Sequence, residues 1–259
     1  MRNKSDSTVA RRKDILSLLA ESGEVFVNEL STRYKVSEVT IRNDLDQLEQ
    51  KNVLIRARGG AMKIDTPVAV DQRLSDKSKL NFQEKIRIGQ KAASMVAPAD
   101  TIIVDSGSTT AELVKSLKQH QDLTIITNAL NIANILGNDP SINVIMPGGF
   151  LRKNSLSLVG PLAEKNLRNF NVDKVFLGVD GFDTRQGIST PNVEEASLNQ
   201  IMIEIATEVI VLADSSKFSK RSLALICPVT EIDTVITDNR ILPEDKKRLQ
   251  DAGVNVVIA

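Results

Sequence analysis

Ser37-Glu38-Val39-Thr40-Ile41-Arg42-Asn43-Asp44-Leu45-Asp46-Gln47-Leu48-Glu49-Gln50 reads as a helix whose two sides are employed differently. Ile41, Leu45 and Leu48 recur at helical spacing and predict a buried stripe. Ser37, just before them, is a good N-cap, its hydroxyl able to accept from an otherwise unpaired amide one turn in. At about 100° per residue, the opposite side falls on Val39, Asn43 and Asp46, flanked by Thr40, Arg42 and Gln47. Asparagine can bond adenine through two hydrogen bonds, arginine can take guanine or phosphate, and an exposed valine can touch a thymine methyl. That side suits a DNA major groove; the plainer alternative is an ordinary amphipathic surface helix.

The flanking sequence favours the groove. From Thr8 to Glu21, Ile15, Leu16 and Leu19 form a helical stripe that Ser22-Gly23 closes. Glu24 to Val27 reads as extended, and Asn28 can cap a short helix from Glu29 to Tyr34, with Leu30 and Tyr34 inward; Lys35-Val36 then turns into the Ser37 helix. Helix, tight turn, helix is the unit that sets its second helix into the major groove. Val53 to Lys63 holds two short β-prone runs about Gly59-Gly60, with Arg56 and Arg58 two apart and so on one side of a strand. Such a hairpin is either a wing against the DNA backbone or minor groove, or a plain solvated hairpin.

Val27-Asn28-Glu29-Leu30, Val36-Ser37-x-x-Thr40-Ile41-Arg42-x-Asp44-Leu45-x-x-Leu48-Glu49 and Arg58-Gly59-Gly60-Ala61 together resemble the winged helix-turn-helix of the DeoR family of bacterial transcriptional regulators. Many members carry a second basic residue where Asn43 stands here, so the resemblance implies the fold but not the base read. The expected contacts with operator DNA are Ser37, Val39, Thr40, Arg42, Asn43, Arg56 and Arg58.

Beyond the hairpin the chain is polar around Pro67, which predicts a linker. The expected organisation is a winged helix-turn-helix domain at 1–63 (helix-turn-helix about 24–43), a linker at 64–80 and a larger domain at 81–259. In the larger domain, apolar runs of strand length at 101–104, 123–126, 142–146, 174–178 and 209–213 alternate with helical patterns, and a last helix and strand end at Ile258. That alternation argues an α/β fold, a mostly parallel Rossmann-like sheet with helices on both faces.

Ligands of such sheets lie beyond the carboxyl ends of the strands. The loops so selected carry Asp105, Gly107, Ser108, Thr109 and Thr110 after the first strand, then Asn128, Arg152, Asp180, Glu195 and Lys217. Amides, hydroxyls and cations can take a phosphate while carboxylates accept from hydroxyls, a combination that suits a phosphorylated polyhydroxy compound.

The larger domain also resembles the DeoR effector domain, through Asp105-x-Gly107-Ser108-Thr109, Thr127-Asn128, Gly148-Gly149-x-x-Arg152, Gly178-x-Asp180-Gly181 and Asp214-x-Ser216-Lys217-Phe218. That domain is related in fold to ribose-5-phosphate isomerase, and Asp180, Asp183 and Glu195 match the enzyme's acidic positions. The enzyme's lysine is missing from Thr184 to Thr190. Proton transfer between sugar carbons needs a placed base and electrophilic help, so a site that binds without catalysing is expected, with no catalytic residues.

Composition bounds the rest. Lys+Arg 33 balance Asp+Glu 33, but residues 1–63 hold 12 against 9, leaving 21 against 24 for the remainder: a mildly basic head on a mildly acidic body. One cysteine, Cys227, and one histidine, His120, exclude an intrachain disulfide and a Cys/His metal cluster. The polar N-terminus and the lack of a long apolar run predict a cytoplasmic protein with no membrane segment; separately, no cofactor is expected.

The resulting expectation is a repressor of a sugar or sugar-alcohol catabolic operon. It would bind double-stranded operator DNA as a homo-oligomer, dimer or tetramer, and be released by a phosphorylated sugar or sugar alcohol. The alternatives are a sugar-phosphate isomerase-like enzyme with an accessory DNA-binding head, and an architectural DNA-binding protein whose body only assembles oligomers.

Overall fold

The computed structural model describes residues 4–49, 53–57, 59–62, 70–117, 122–137 and 139–259, and the chain divides into two units, Met1–Thr66 and Pro67–Ala259. The first is built from α1 (Lys4–Ser22), β1 (Glu24–Phe26), α2 (Val27–Tyr34), α3 (Glu38–Glu49), β2 (Ile55–Ala57) and β3 (Gly60–Met62). The stripes expected from helical spacing meet in one core: Ile15 and Leu19, Leu30, and Ile41, Leu45 and Leu48, joined by Val25, Val27, Leu54 and Ala61. The antiparallel sheet runs β1-β3-β2.

Local chemistry sets the ends of these helices. Gly23 closes α1 at φ 80, its amide donating to Leu19 O at 3.0 Å. Helix α2 starts at Val27, before the expected Glu29, because the Val27 amide donates to Gly59 O of the wing turn (2.8 Å); Asn28 is therefore inside the helix and does not cap it. Ser37 does cap α3, its Oγ accepting from the Thr40 amide at 3.2 Å.

The second unit carries α4 (Leu74–Lys77), α5 (Phe82–Ala93), β4 (Thr101–Val104), α6 (Ser108–Lys115), β5 (Leu123–Ile126), α7 (Leu130–Leu136) and β6 (Ile142–Ile145). There follow β7 (Phe150–Arg152), β8 (Ser157–Val159), α8 (Pro161–Leu167), β9 (Val172–Gly178), β10 (Gly181–Asp183), β11 (Gly187–Thr190), α9 (Val193–Glu204) and β12 (Ala206–Leu212). The chain ends with β13 (Ala224–Cys227), β14 (Thr234–Thr237), α10 (Pro243–Asp251) and β15 (Asn255–Ile258). Seven strands form one parallel sheet in the order β15-β14-β12-β9-β4-β5-β6. A side sheet (β10-β11-β13) and a hairpin (β7-β8) stand beside it.

Successive side chains of the central strands point to opposite faces, both of them buried. Ile102, Val104 and Phe176 pack on one face with Ile88, Leu113 and Ile132 of α5, α6 and α7. Ile103, Val175 and Leu177 pack on the other with Leu167, Leu198 and Leu249 of α8, α9 and α10. From β4 the chain winds outward through β5 and β6; from β9 it winds the opposite way through β12, β14 and β15. The order therefore reverses between β4 and β9, and an open α/β sheet leaves its ligand crevice at such a reversal.

One close approach fixes the first layer. A Cβ built on Gly89 of α5 would lie 2.5 Å from the Glu112 carbonyl carbon in α6. Gly89→Ala is expected to force these helices apart and cost about 1–3 kcal/mol, read as a lowered urea midpoint; an unchanged midpoint would contradict the packing.

The stretch 64–80, expected as a linker, differs in its second half. Leu74 N donates to Asn154 O at 2.7 Å, Arg152 bonds Asp71 at 2.6 Å, and Lys77 bonds Asp180 at 2.7 Å, so 71–80 is held by the second unit. Polar sequence looks like linker whether its partners are water or a protein's charged groups. The three strands of the side sheet were also not anticipated.

Candidate functional site

Two surfaces bear chemistry. On α3, burying Ile41, Leu45 and Leu48 leaves Val39 62% exposed and turns Arg42 and Asn43 to solvent. Arg42 pairs with Glu38 one turn earlier at 2.6 Å, and Ser37 Oγ lies 2.9 Å from Thr40 Oγ1. Arg56 differs from the expectation of a side chain reaching outward. It is 23% exposed, its Nε lies 3.0 Å from Asp46 Oδ1, and its Nη1 donates to Gly60 O at 2.8 Å. In this arrangement it braces the wing against α3. Arg58 lies outside the described residues.

Sequence reading missed what holds α3 to α1. Asp44 is 2% exposed; Arg11 Nε donates to one of its oxygens at 2.6 Å and Arg12 Nε to the other at 2.7 Å. The signal was available: Asp44 follows Ile41 by three residues and so shares the buried side.

The second surface is a cleft at the carboxyl ends of β4 and β9. Seven of the expected residues line it: Asp105, Gly107, Ser108, Thr109, Asp180, Glu195 and Lys217. The other three stand behind its walls. Thr110 is buried with Oγ1 donating to Gly107 O (3.1 Å), Asn128 is fully buried beneath Leu158, and Arg152 pairs with Glu195 and Asp71. Leu74, Lys77, Ser155, Thr190 and Asn199 also line the cleft and were missed. Asn199 sits four residues after Glu195 on α9, a spacing that puts both on one side of a helix. Lys77 had no such signal.

The carboxyl groups are held in different states. Burial pushes Asp105 up to about 8, helped by the negative charge of Glu195, against the opposing hydrogen bonds of the Ser106 amide and Asn199. Asn199 Nδ2 donates to Asp105 Oδ2 at 3.4 Å. Burial also works to raise Asp180, but the ammonium groups of Lys77 (2.7 Å) and Lys217 (3.8 Å) outweigh it and hold it below the usual carboxylate range. Glu195 accepts from Ser157 Oγ at 2.8 Å and Thr190 Oγ1 at 3.3 Å, and Asn192 Oδ1 takes its amide at 2.9 Å. Behind the cleft, burial lowers Lys85 to about 8, and its Nζ donates to Lys77 O. The cleft thus offers a protonated acid that donates and accepts, an ionised carboxylate, and two cations sharing that one carboxylate.

Comparison with known proteins matches both units. A profile described as the DeoR-like helix-turn-helix domain matches residues 11–67, and one described as the DeoR C terminal sensor domain matches 80–239. The provisionally named aga operon transcriptional repressor of Escherichia coli O157:H7 is 41% identical over 97% of this chain and 94% of its own. The lactose phosphotransferase system repressor of Lactococcus lactis subsp. lactis is 31% identical over 90% of this chain and 92% of its own. Among solved structures, ribose 5-phosphate isomerase A from Methanocaldococcus jannaschii is 18% identical, covering 54% of this chain and 56% of that one at a TM-score of 0.41, too slight a likeness to argue from. No helix among the described residues is long and apolar enough to cross a membrane.

Proposed function

This chain belongs to the DeoR family of transcriptional regulators, and from that premise we propose that it represses a sugar or sugar-alcohol catabolic operon and is released from its operator by a phosphorylated sugar bound in the cleft. The observation that carries the effector class is the Lys77-Asp180-Lys217 group beside Asp105. Two ammonium groups on one carboxylate leave positive charge for a phosphate, while Asp105, Asp180 and Glu195 supply donors and acceptors to hydroxyls. The two relatives' names, repressors of an aga operon and of a lactose phosphotransferase system, support a carbohydrate operon as the target.

In this reading Val39, Thr40, Arg42 and Asn43 enter the major groove, Ser37 orders the start of their helix, and Arg56 positions the wing that carries Arg58. Asn43→Ala is expected to cost about 1–3 kcal/mol at a single base pair and relax preference there. Binding measured across an operator substituted at each position checks this; unchanged preference everywhere would remove Asn43 from the groove. A dimer or tetramer belongs to the same reading. Phe150, Leu151 and Leu162 stand exposed on the second unit, apolar surface of the kind that interfaces cover.

One observation favours a second reading. Lys77 and Lys217 stand at Asp180 in the same cleft as Asp105 and Glu195, so carboxyl groups and cations occur together there. Incubation with aldose and ketose phosphates, followed by NMR, separates the two: a regulator leaves them unchanged, and interconversion at enzyme-like rates supports an isomerase.

A further inference from the structure

We propose that residues 71–81 form a ligand-sensing strap in which Lys77 takes the effector's anionic group in exchange for Asp180, so that α4 reports whether the cleft is occupied. The proposal rests on the sugar-phosphate reading of the cleft and adds the element that registers its occupancy.

The argument begins with how α4 is attached. A helix of four residues does not hold itself, and no side chain of α4 is buried. It is therefore kept in place by polar bonds. Leu74 N donates to Asn154 O, and Asp71 takes Arg152 Nη2 at 2.6 Å and Asn154 Nδ2 at 2.9 Å. At the far end Asn81 Nδ2 donates to Asp214 Oδ1 at 2.9 Å. In the middle Lys85 Nζ of α5 donates to the Lys77 carbonyl, and the attachment made by a side chain of α4 itself is Lys77 to Asp180 in the cleft.

That middle attachment is the one a ligand competes for. A phosphate offers Lys77 a charge at least as large as that of Asp180, and a ligand hydroxyl offers Asp180 a donor in return. Space exists for the strap to respond. A second, open cleft lies along its other side, lined by Arg73, Leu74, Ser75 and Ser78 and facing Glu112 and Ile135 of α6 and α7. Leu74 and Ser108 line both clefts, so α4 is a partition between them. Because a ligand shifts an equilibrium only by its differential affinity, exchange of Asp180 for phosphate on Lys77 supplies the required difference between the two strap positions. In sequence the strap follows β3 of the first unit after the eight residues 63–70.

The test is hydrogen–deuterium exchange of the full chain with inorganic phosphate at about 20 mM, a concentration suited to a weak minimal ligand, against chloride at equal ionic strength. The amides of Asp76, Lys77 and Ser78, bonded to Arg73 O and Leu74 O, report on the strap. Phosphate is expected to change exchange across 71–81 by about threefold or more in the parent and not in Lys77→Met. Without phosphate, Lys77→Met and Asp180→Asn should each speed exchange there while leaving Phe82–Ala93 unaltered, which shows the fold is retained. Phosphate that raises the melting temperature but leaves 71–81 unchanged would overturn the strap and keep the site. Phosphate that does neither would overturn both, and a Lys77→Met chain that responds like the parent would overturn the role of Lys77.

Discussion

Asp105→Asn is expected to make the second unit more stable at pH 8–9 by on the order of 3–5 kcal/mol, an advantage that shrinks as the pH is lowered. Asp105 follows β4 at the wall of the cleft, 3% exposed, where burial and the charge of Glu195 raise it from 3.8 to about 8. For a carboxyl group raised on folding, the stabilising contribution is fully present below the unfolded value, about 4, and is lost as the pH rises through about 8. Above that, the folded chain carries a buried charge that the unfolded chain solvates. Asparagine has nearly the same shape and no proton to lose, so urea midpoints of parent and variant should converge near pH 4 and separate up to pH 8. A gap independent of pH would show that Asp105 is ionised in the folded protein. The same property bears on function: near neutral pH the protonated carboxyl can donate to a ligand oxygen, so effector affinity should fall as the pH passes 8.

Asp44→Ala should unfold or nearly unfold the first unit, at a cost of about 3–5 kcal/mol. The carboxylate is 2% exposed and receives Arg11 and Arg12 on its two oxygens; its loss leaves the Arg11 guanidinium, itself 8% exposed, buried without its counter-charge. A small unit with a single core has little stability to spare. The loss is to be read in the first unit's urea transition, alongside loss of operator binding. Replacing both partners with apolar residues, Arg11→Met with Asp44→Leu, should recover much of the stability, since it removes both desolvated charges. A shift below about 1 kcal/mol for Asp44→Ala would mean the pair is solvated and the α1–α3 contact rests on Ile15, Leu19 and Leu45 alone.

What was legible in the sequence was periodic. Ile41, Leu45 and Leu48 declared their helix because a buried stripe repeats, and Thr101–Val104 declared a central strand because both of its faces are covered. The loops at the strand ends then followed from topology, which is why Asp105, Asp180, Glu195 and Lys217 could be chosen together. Arg152, Asn128 and Thr110 were chosen by the same rule, but a loop position says nothing about direction, and these three turn into the wall. Lys77 was invisible for a different reason. A turn of helix held by charges, with no buried side chain, leaves no apolar pattern, so its sequence resembles that of a solvated connector. Asp44 shows the same blind spot inside a legible helix: its position on the buried side was readable, its two partners some thirty residues earlier were not.

The division between a reader of DNA and a sensor of sugar phosphate is tested most directly by titrating phosphorylated sugars, and their unphosphorylated parents, into the full chain bound to fluorescently labelled operator DNA and following anisotropy. One phosphorylated sugar should lower DNA affinity about tenfold or more at saturation, its unphosphorylated parent should not, and Lys217→Met should bind the operator normally while losing the response. If a sugar phosphate binds the protein, seen as a rise in melting temperature, and operator affinity does not move, the cleft and the α3 surface are unconnected and the account is wrong.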